Sequence, residues 1–585
     1  MTVIVRDAGS GTWRVFGRPL TVIRAHHVRE VLPALESVER ECTVHNRYAA
    51  GFLAYEAAPA FDSGLTTRDA GDFPLLWFGV YETVREHTLD QLAPPSGGVF
   101  EEHWEPSVSH EQYEHVFAAI QELIRDGDTY QVNYTYRLRT RLRSDPYALF
   151  LQLASAQTPP FGAYIDTGEW GICSASPELF FHRAATRIES RPMKGTAPRG
   201  LWFEQDVENA RRLRESAKPR SENVMIVDMV RNDLGRVARP GSVQVTSLFD
   251  VERYPTVLQM TSTVAADTDV SLVGVMRALF PAASITGAPK ARTMEIIAAL
   301  ESSPRRIYTG AIGFVEPGGR SQFNVAIRTV LVHHATGAAE YGVGGGIVAD
   351  SLCADEWTES LIKARALASR PPSFDLLETM LWRPDTGYLL LGRHLKRLLQ
   401  SADYFGFHVD ILGVRDRLEQ YAVSLAAIPH RVRLVASRRG AVELSSKPHD
   451  VDAGFSPLAL AGSPIDSANP LLYHKTTHRT IYEDAIAARP GFEDVLLYNE
   501  RGEITESTIA NFVIESDGVL LTPPIASGLL PGTLRAHLLD EGRIREQLLT
   551  VQDVKLASRC YLLNSVRGFH PVSIDYKSVV PSSGV

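Results

Sequence analysis

The sequence predicts two domains, an α+β front domain of large β-sheets with flanking helices and a smaller α/β domain behind it. Three observations support this. The chain has 585 residues, well beyond the roughly 250 to 300 at which a single core stops growing. Strand-like and helix-like periodicities alternate through the front part. At Ser369-Arg370-Pro371-Pro372-Ser373 two prolines deny continuation to the helical pattern TESLIKARALA, and a new pattern opens at Phe374. The expected domains are therefore 1–369 and 374–585.

In the front part, EHVFAAIQELIRDGD repeats Val116, Phe117, Ile120, Leu123 and Ile124 at helical spacing. Pro289 is read just inside the start of a helix over APKARTMEIIAALES. Tyr308 to Val315 and Phe323 to Val332 read as strands, joined by the hairpin signal Glu316-Pro317-Gly318-Gly319. Behind the seam, HLKRLLQSADYFGF puts Leu395, Leu398, Leu399, Ala402 and Phe405 on one helical face, and β-rich segments with Gly and Pro turns follow. No repeat or low-complexity tract interrupts the pattern.

Composition narrows the partners. A hydrophobic fraction of 44% with 22% charged and 9% aromatic residues suits a folded globular chain. The net charge of -9 comes without a long basic run, so no stripe neutralises nucleic-acid phosphates. Four cysteines (Cys42, Cys173, Cys353, Cys560) form no CxxC, which points to a reducing compartment and no structural zinc. The start, MTVIVRDAGSGTWRVF, has no basic stretch leading into an apolar run, and no segment approaches the ~20 apolar residues of a membrane span. A cytoplasmic chain acting on small molecules, binding neither nucleic acid nor membrane, is the expectation.

Four clusters stand out in front: RPMKGT (191–196), SENVMIVDMVRNDLGRV (221–237), SITGAPKARTMEI (284–296), and YTGAIGF with FNVAIRT and GVGGGIVADS (308–351). Singly each is unspecific, since three glycines more often make a turn and a lone Lys-Gly-Thr a surface loop. Together and in this order they resemble the chorismate-utilising enzymes, the family of anthranilate synthase, aminodeoxychorismate synthase component I and the isochorismate and salicylate synthases, over about residues 100–365. The resemblance implies that family's fold and a Mg²⁺-dependent reaction on chorismate. Chorismate is a dianion whose ring hydroxyl must leave, so its site needs cations, an acid and a nucleophile.

By this resemblance Glu222, Glu356 and Glu359 match the metal-binding carboxylates, of the type Mg²⁺ prefers. Arg328 matches the arginine that grips a substrate carboxylate, and Tyr308 and Lys363 fall at further substrate-binding positions. Backbone N–H groups of Gly344, Gly345 and Gly346 can hold a carboxylate oxygen. Glu178 in SASPELFF corresponds to the acid for the leaving hydroxyl, and Thr286 and Lys290 line the same pocket by analogy. Two positions divide the family. Lys194 falls where aminodeoxychorismate synthases carry a lysine and anthranilate synthases an alanine; such an amine, when neutral, can attack the ring and be displaced by ammonia. Gln131 falls where isochorismate and salicylate synthases place a water-activating lysine, a duty an amide cannot perform. In LQMTS, Gln259 replaces a histidine of many relatives and cannot carry a proton at neutral pH. No chemistry is assigned to the first hundred residues. No cysteine sits in a nucleophile-elbow setting, so ammonia is expected from a separate glutamine amidotransferase or as free ammonium.

Residues 374–576 carry HLKRL, HKTTHR, EITESTIANF and SGLLPGTLR, which together resemble the class IV, fold-type IV pyridoxal-phosphate enzymes. That family includes branched-chain and D-amino-acid aminotransferases and aminodeoxychorismate lyase. Such a cofactor needs a lysine for its aldehyde, a carboxylate for its ring nitrogen, and cations or N–H groups for its phosphate. Lys475 matches the first and Glu506 the second; Arg397 with the main chain around Thr533 and Leu534 matches the phosphate cup. Arg479 and Tyr482 lie one and two turns beyond Lys475 if that segment is helical, and orient the ring. The back domain is expected to pair as a homodimer.

The combination implies a bifunctional route to 4-aminobenzoate for folate: amination of chorismate in front, then elimination of pyruvate behind. The preference for the lyase rests on what that domain is fused to. Two alternatives stay open at this point. One is anthranilate synthesis in front with amino-acid transamination behind; the other is a back domain that has become a docking module without cofactor.

Overall fold

The computed structural model describes residues 1–92, 103–367, 372–450 and 454–576. The chain divides into two compact units, Met1–Arg199 with Asn209–Pro371, and Gly200–Glu208 with Pro372–Val585. Residues 200–208, which the sequence reading gives to the front, thus cluster with the second unit. Of the seam, residues 369–371 lie outside the described residues. No helix among the described residues is long and apolar enough to cross a membrane.

The first unit is built on two ten-stranded sheets. Alternation dictates the stack: Val3, Val5 and Ile172 from one sheet meet Phe52, Trp77 and Phe314 from the other in one buried cluster. Each such apolar side chain contributes about 1.5–3 kcal/mol by leaving water. At the heart of the first sheet, strand Gln131–Arg141 pairs antiparallel with Ala338–Ile347, with Gly344, Gly345 and Gly346 opposite Thr135, Tyr134 and Asn133. In the second sheet, Met193–Pro198 pairs with Val257–Asp267.

Two helices face the site these strands create. Helix Ala217–Gly235 buries Asn223, Ile226, Val227, Val230 and Leu234, the three- and four-residue spacing that keeps one face inward, and leaves Glu222 beside that face. Helix Cys353–Ala364 carries Glu356, Glu359 and Lys363 at intervals of three and four, which puts them on one face. Its Trp357 stacks on Tyr136 at 5.3 Å and anchors the helix to the sheet.

Several local expectations are corrected. The first strand of the hairpin begins at Ala311, not Tyr308. The second is broken into Ser321–Val325 and Thr329–His333, because Arg328 takes a left-handed conformation, φ 49°, that no strand continues through. Pro289 is the cap before helix Lys290–Leu300 and not its first residue.

The second unit has an antiparallel four-stranded sheet and a nine-stranded sheet in which Leu458–Leu460 pairs parallel with Asp494–Tyr498 and with Ile574–Asp575. Helix Leu391–Phe405 buries Leu395, Leu398 and Ala402, but Leu399 is 46% exposed; two turns fit about three or four inward residues, and Leu399 falls outside that stripe. The segment after Lys475 is not helical until Thr480, so Arg479 caps helix Thr480–Ala487 and Tyr482 lies in its first turn.

Candidate active sites

The first unit holds a cavity of about 320 Å³ lined by residues from all four front motifs. Lys194, Glu178, Glu222, Glu356, Glu359, Lys363, Arg328, Tyr308 and Gly344 to Gly346 meet there, although they are spread over 186 positions of sequence, from 178 to 363. Lys194 Nζ lies 3.7 Å from Glu222 Oε2. The attack expected of this lysine needs a free amine, whereas here it faces a carboxylate. Lys363 Nζ pairs with Glu359 Oε1 at 2.9 Å and donates to the carbonyl of Gly344 at 2.8 Å. That lysine holds the Glu359 carboxyl below its usual range, while burial raises Glu356, against a hydrogen bond from Ser351.

Arg328 projects into the cavity over the Tyr254 ring, 5.5 Å from its centroid, and burial lowers its pKa. Among the described residues it has no carboxylate partner. An uncompensated guanidinium in a closed site is costly unless an anion arrives. Glu178, only 4% exposed, accepts a hydrogen bond from Ser284 Oγ at 2.6 Å. Burial pushes its carboxyl up to about 7, in spite of Ser284 and Lys194. A carboxyl that keeps its proton at neutral pH suits donation to a leaving oxygen.

A buried ionic frame fixes the cavity wall. Arg305 donates to Glu301 at 2.6 Å, to the Asn133 carbonyl at 2.7 Å and to the Ile285 carbonyl at 2.9 Å. Arg137 lies over the Tyr308 ring, 5.0 Å from its centroid. Asn133, Ile285 and Tyr308 are all wall residues, so these arginines set its shape by the backbone and by ring packing.

Three expected pocket residues are elsewhere. Lys290 points away and pairs with Asp233 at 2.8 Å, with the Pro281 carbonyl at 3.1 Å, because the helix it starts turns its first residue toward helix Ala217–Gly235. Thr286 is fully buried and its hydroxyl is spent on the Ala283 carbonyl at 3.3 Å. Gln131 is also fully buried and is not among the lining residues, although its amide lies beside Gly346 on the side that Lys194 approaches. Gln259 exchanges hydrogen bonds with Thr196.

The metal expected in front needs oxygen donors, and Glu222, Glu356 and Glu359 supply them on one cavity wall, so the donor chemistry fits a hard cation. Among the described residues the cluster whose ligand atoms all lie within 4.8 Å of one another is Asp72, Glu169 and His333. The three glutamates therefore stand further apart, two of them held by lysines.

The second unit has its own cavity of about 320 Å³. Lys475, Glu506, Arg397, Tyr482 and Thr533 line it. Burial, helped by Arg397, pulls Lys475 down to about 8. Glu506 accepts from Tyr482 Oη at 2.9 Å, from Asn511 Nδ2 at 3.1 Å and from the Leu530 N–H at 3.2 Å; burial pushes it up to about 7. Arg397 is locked by two bonds to Glu378 of 2.9 and 2.7 Å. Glu378 also takes a bond of 2.6 Å from His394, whose other nitrogen meets Thr533 Oγ1 at 3.2 Å. Leu534 offers only its main chain, for its side chain packs in the core with Val513 and Leu538. An amine, a carboxyl with hydrogen-bonded orientation and a guanidinium beside a helix start match what pyridoxal phosphate requires, so the residues present fit that group.

Sequence reasoning missed Ser284 and Lys218 in front, and Arg431, Arg433 and Arg567 behind, all of them lining residues. The alternation in HRVRLVA, which buries His430, Val432 and Leu434, is the signal that puts Arg431 and Arg433 on one face.

Comparison with known proteins follows the same division. Residues 3–369 match the family model for chorismate binding enzyme, and residues 375–574 that for amino-transferase class IV. Aminodeoxychorismate synthase component 1 of Klebsiella aerogenes is 42% identical over 266 residues, 45% of this chain and 58% of that protein. Its counterpart in Escherichia coli K12 is 40% identical over 279 residues, 47% and 61% respectively. Aminodeoxychorismate synthase of Streptomyces griseus is 44% identical over 250 residues, 42% and 34%. The matches thus span about a third to three fifths of these relatives' lengths. Among solved structures, anthranilate synthase component I from Streptococcus pneumoniae aligns with a TM-score of 0.53 at 23% identity, covering 63% of this chain and 92% of that one. A putative 2,3-dihydroxybenzoate-specific isochorismate synthase from Bacillus anthracis gives 0.53 at 20%, covering 62% and 94%. These two likenesses concern the fold of the first unit.

Proposed function

We propose, since this chain belongs to the chorismate binding enzyme family and carries a class IV amino-transferase domain behind it, that it converts chorismate to 4-aminobenzoate in two steps. The observation that carries the reading is Lys194 inside a cavity that also presents Arg328, without a carboxylate partner among the described residues, and Glu178, whose carboxyl burial pushes up to about 7.

In the first step Arg328 takes one carboxylate of chorismate, and the N–H groups of Gly344 to Gly346 with Tyr308 and Lys363 hold the rest of the dianion. Glu222, Glu356 and Glu359 hold Mg²⁺, which supplies charge neutralisation for the substrate carboxylate. Lys194 acts as nucleophile once its amine parts from Glu222, 3.7 Å away. Glu178 gives its proton to the departing hydroxyl, which leaves as water while the Lys194 amine bonds to the ring. Ammonia then displaces the lysine and yields 4-amino-4-deoxychorismate.

In the second step Arg397, Thr533 and the Leu534 main chain hold the phosphate of pyridoxal phosphate, and Glu506, oriented by Tyr482, faces its ring nitrogen. Bound there, with Lys475 at its aldehyde, pyridoxal phosphate would supply an electron sink for the substrate. Lys475, with its pKa lowered to about 8, takes the C4 proton near neutrality; the ring C–O bond to the enolpyruvyl group breaks, and the departing enolpyruvate takes up a proton to become pyruvate.

Ammonia comes from a separate glutamine amidotransferase. In support, Cys42 is buried with its thiol pushed up to about 12 and Cys560 to about 11, Cys173 is buried with its thiol driven upward, and burial raises Cys353. None is the activated thiolate that glutamine hydrolysis needs. A cytoplasmic setting and a homodimer formed through the back domain complete the reading.

The test is incubation of the full chain with chorismate, Mg²⁺, ammonium and pyridoxal phosphate, with products separated by chromatography. The expected result is 4-aminobenzoate plus pyruvate, both lost in Lys194→Ala, with aminodeoxychorismate accumulating in Lys475→Ala. Anthranilate as product, or aminodeoxychorismate that never proceeds in the unaltered chain, would overturn the reading.

A further inference from the structure

We infer that Tyr254 is the positioning residue for Arg328, and that it thereby sets how firmly a carboxylate of chorismate is held; this rests on the function proposed above. Tyr254 is not a lining residue of the first cavity and acts from behind its wall. It is 5% exposed, and its ring lies under the Arg328 guanidinium, whose carbon is 5.5 Å from the ring centroid. That is inside the ~6 Å at which a ring face attracts a cation.

Both ends of the tyrosine are fixed. Its hydroxyl donates to Glu252 Oε2 at 2.6 Å, and Glu252 is held in turn by Arg191 at 3.3 Å and by Thr261 Oγ1 at 3.3 Å. Its N–H donates to the Val257 carbonyl at 2.9 Å, and its own carbonyl accepts from Arg199 at 2.7 Å. The ring packs in one buried cluster with Met193, the neighbour of Lys194. The hydroxyl oxygen stands 3.3 Å from the carbonyl of Pro177, the neighbour of Glu178. Arg328 is thus registered against the chain beside the proposed nucleophile and beside the proposed acid.

A ring suits this duty where a carboxylate would not. Arg305 and Arg397 spend N–H groups on Glu301 and Glu378, and a guanidinium so paired keeps fewer donors and less net charge for a ligand. Arg328 has no carboxylate partner among the described residues. A π face restrains the cation without occupying its N–H groups or cancelling its charge. The donors of Arg328 therefore stay available for two parallel bonds to a substrate carboxylate.

The test is calorimetric titration of chorismate, with Mg²⁺ and without ammonium, into the full chain carrying Lys194→Ala, so that the substrate binds and stays intact. Tyr254→Leu should weaken binding about tenfold, and Tyr254→Phe, which keeps the ring, should stay within about twofold. A fluorinated phenylalanine at the same position keeps the shape but drains the ring face, and should fall between them. In an Arg328→Met background, Tyr254→Leu should cost less than about twofold further. A tyrosine that served stability alone would lower the unfolding midpoint without this coupling. Unchanged affinity in Tyr254→Leu, or in the fluorinated variant should the leucine variant not fold, overturns the inference. So does Tyr254→Phe binding as weakly as Tyr254→Leu, or an undiminished loss in the Arg328→Met background. Anthranilate as the product of the chain that retains Lys194 would instead remove the amination reading and leave the coupling in place.

Discussion

Replacing Gly346 by alanine tests the geometry around Lys194 with one methyl group. The new carbon would lie 2.5 Å from Lys194 Nζ, against the ~3.5 Å at which such atoms rest comfortably. The nearest atom is the tip of a flexible side chain and not backbone, so the fold can absorb the change by moving Nζ about 1 Å, with the Gln131 amide, 3.1 Å from the new carbon, giving by a few tenths. A displacement of about 1 Å in a reacting group costs on the order of 100-fold in rate, or ~2.7 kcal/mol in the barrier. Stability should move the other way: Gly346 is not among the left-handed glycines, and alanine at a compatible position gains ~0.4–1 kcal/mol by restricting the unfolded chain. The assay is the rate of aminodeoxychorismate formation with ammonium, beside thermal unfolding of the same protein. A variant within threefold of the unaltered rate would refute the placement of Lys194 Nζ over Gly346. Loss of activity together with a lowered unfolding midpoint would refute the claim that only the amine moves.

Other expectations follow from the same observations. Glu178, pushed up to about 7 by burial, donates its proton only below that value, so chorismate consumption should fall about tenfold per pH unit above it; Glu178→Gln should lower the rate and erase this limb. Competitive acylation of the cofactor-free protein should show Lys475 titrating near 8, and a value near that of a free lysine would contradict its burial between Arg397 and Glu506. Glu378, held down to about 2 although buried, by Arg397 and His394, lies below its ordinary range, so its contribution is complete above the unfolded value and lost as pH falls toward 2. Glu378→Gln should cost about 3–5 kcal/mol, as removal of one partner from a buried pair does, read as a lowered urea midpoint at pH 7.

Legibility in the sequence followed locality. Glu356, Glu359 and Lys363, assigned by the resemblance, share one helix face, so their local spacing of three and four is enough to bring them together. Lys290 was misjudged for the opposite reason: its neighbours in SITGAPK reach the cavity wall, but its own direction is decided by Asp233, 57 residues away. Gln131 was assigned to the pocket by the resemblance alone, whereas its burial beside Gly346 depends on two strands coming into register. Ser284, the donor that orients Glu178, gave no signal of its own, since a serine before a helix is ordinarily read as a cap. Arg328 breaks a strand at φ 49°, a feature that periodicity cannot forecast and that aims its guanidinium into the cavity.

The second unit takes in Gly200–Glu208 from the middle of the first half of the chain. There the Trp202 ring packs on Tyr473 at 5.5 Å and the Tyr404 hydroxyl donates to the Gly200 carbonyl at 2.7 Å. The two halves are therefore not a pair of cassettes that recombination could trade at one crossover. An exchange at the proline seam would bring in a back domain with a foreign partner for Trp202, and would bare an indole on the front.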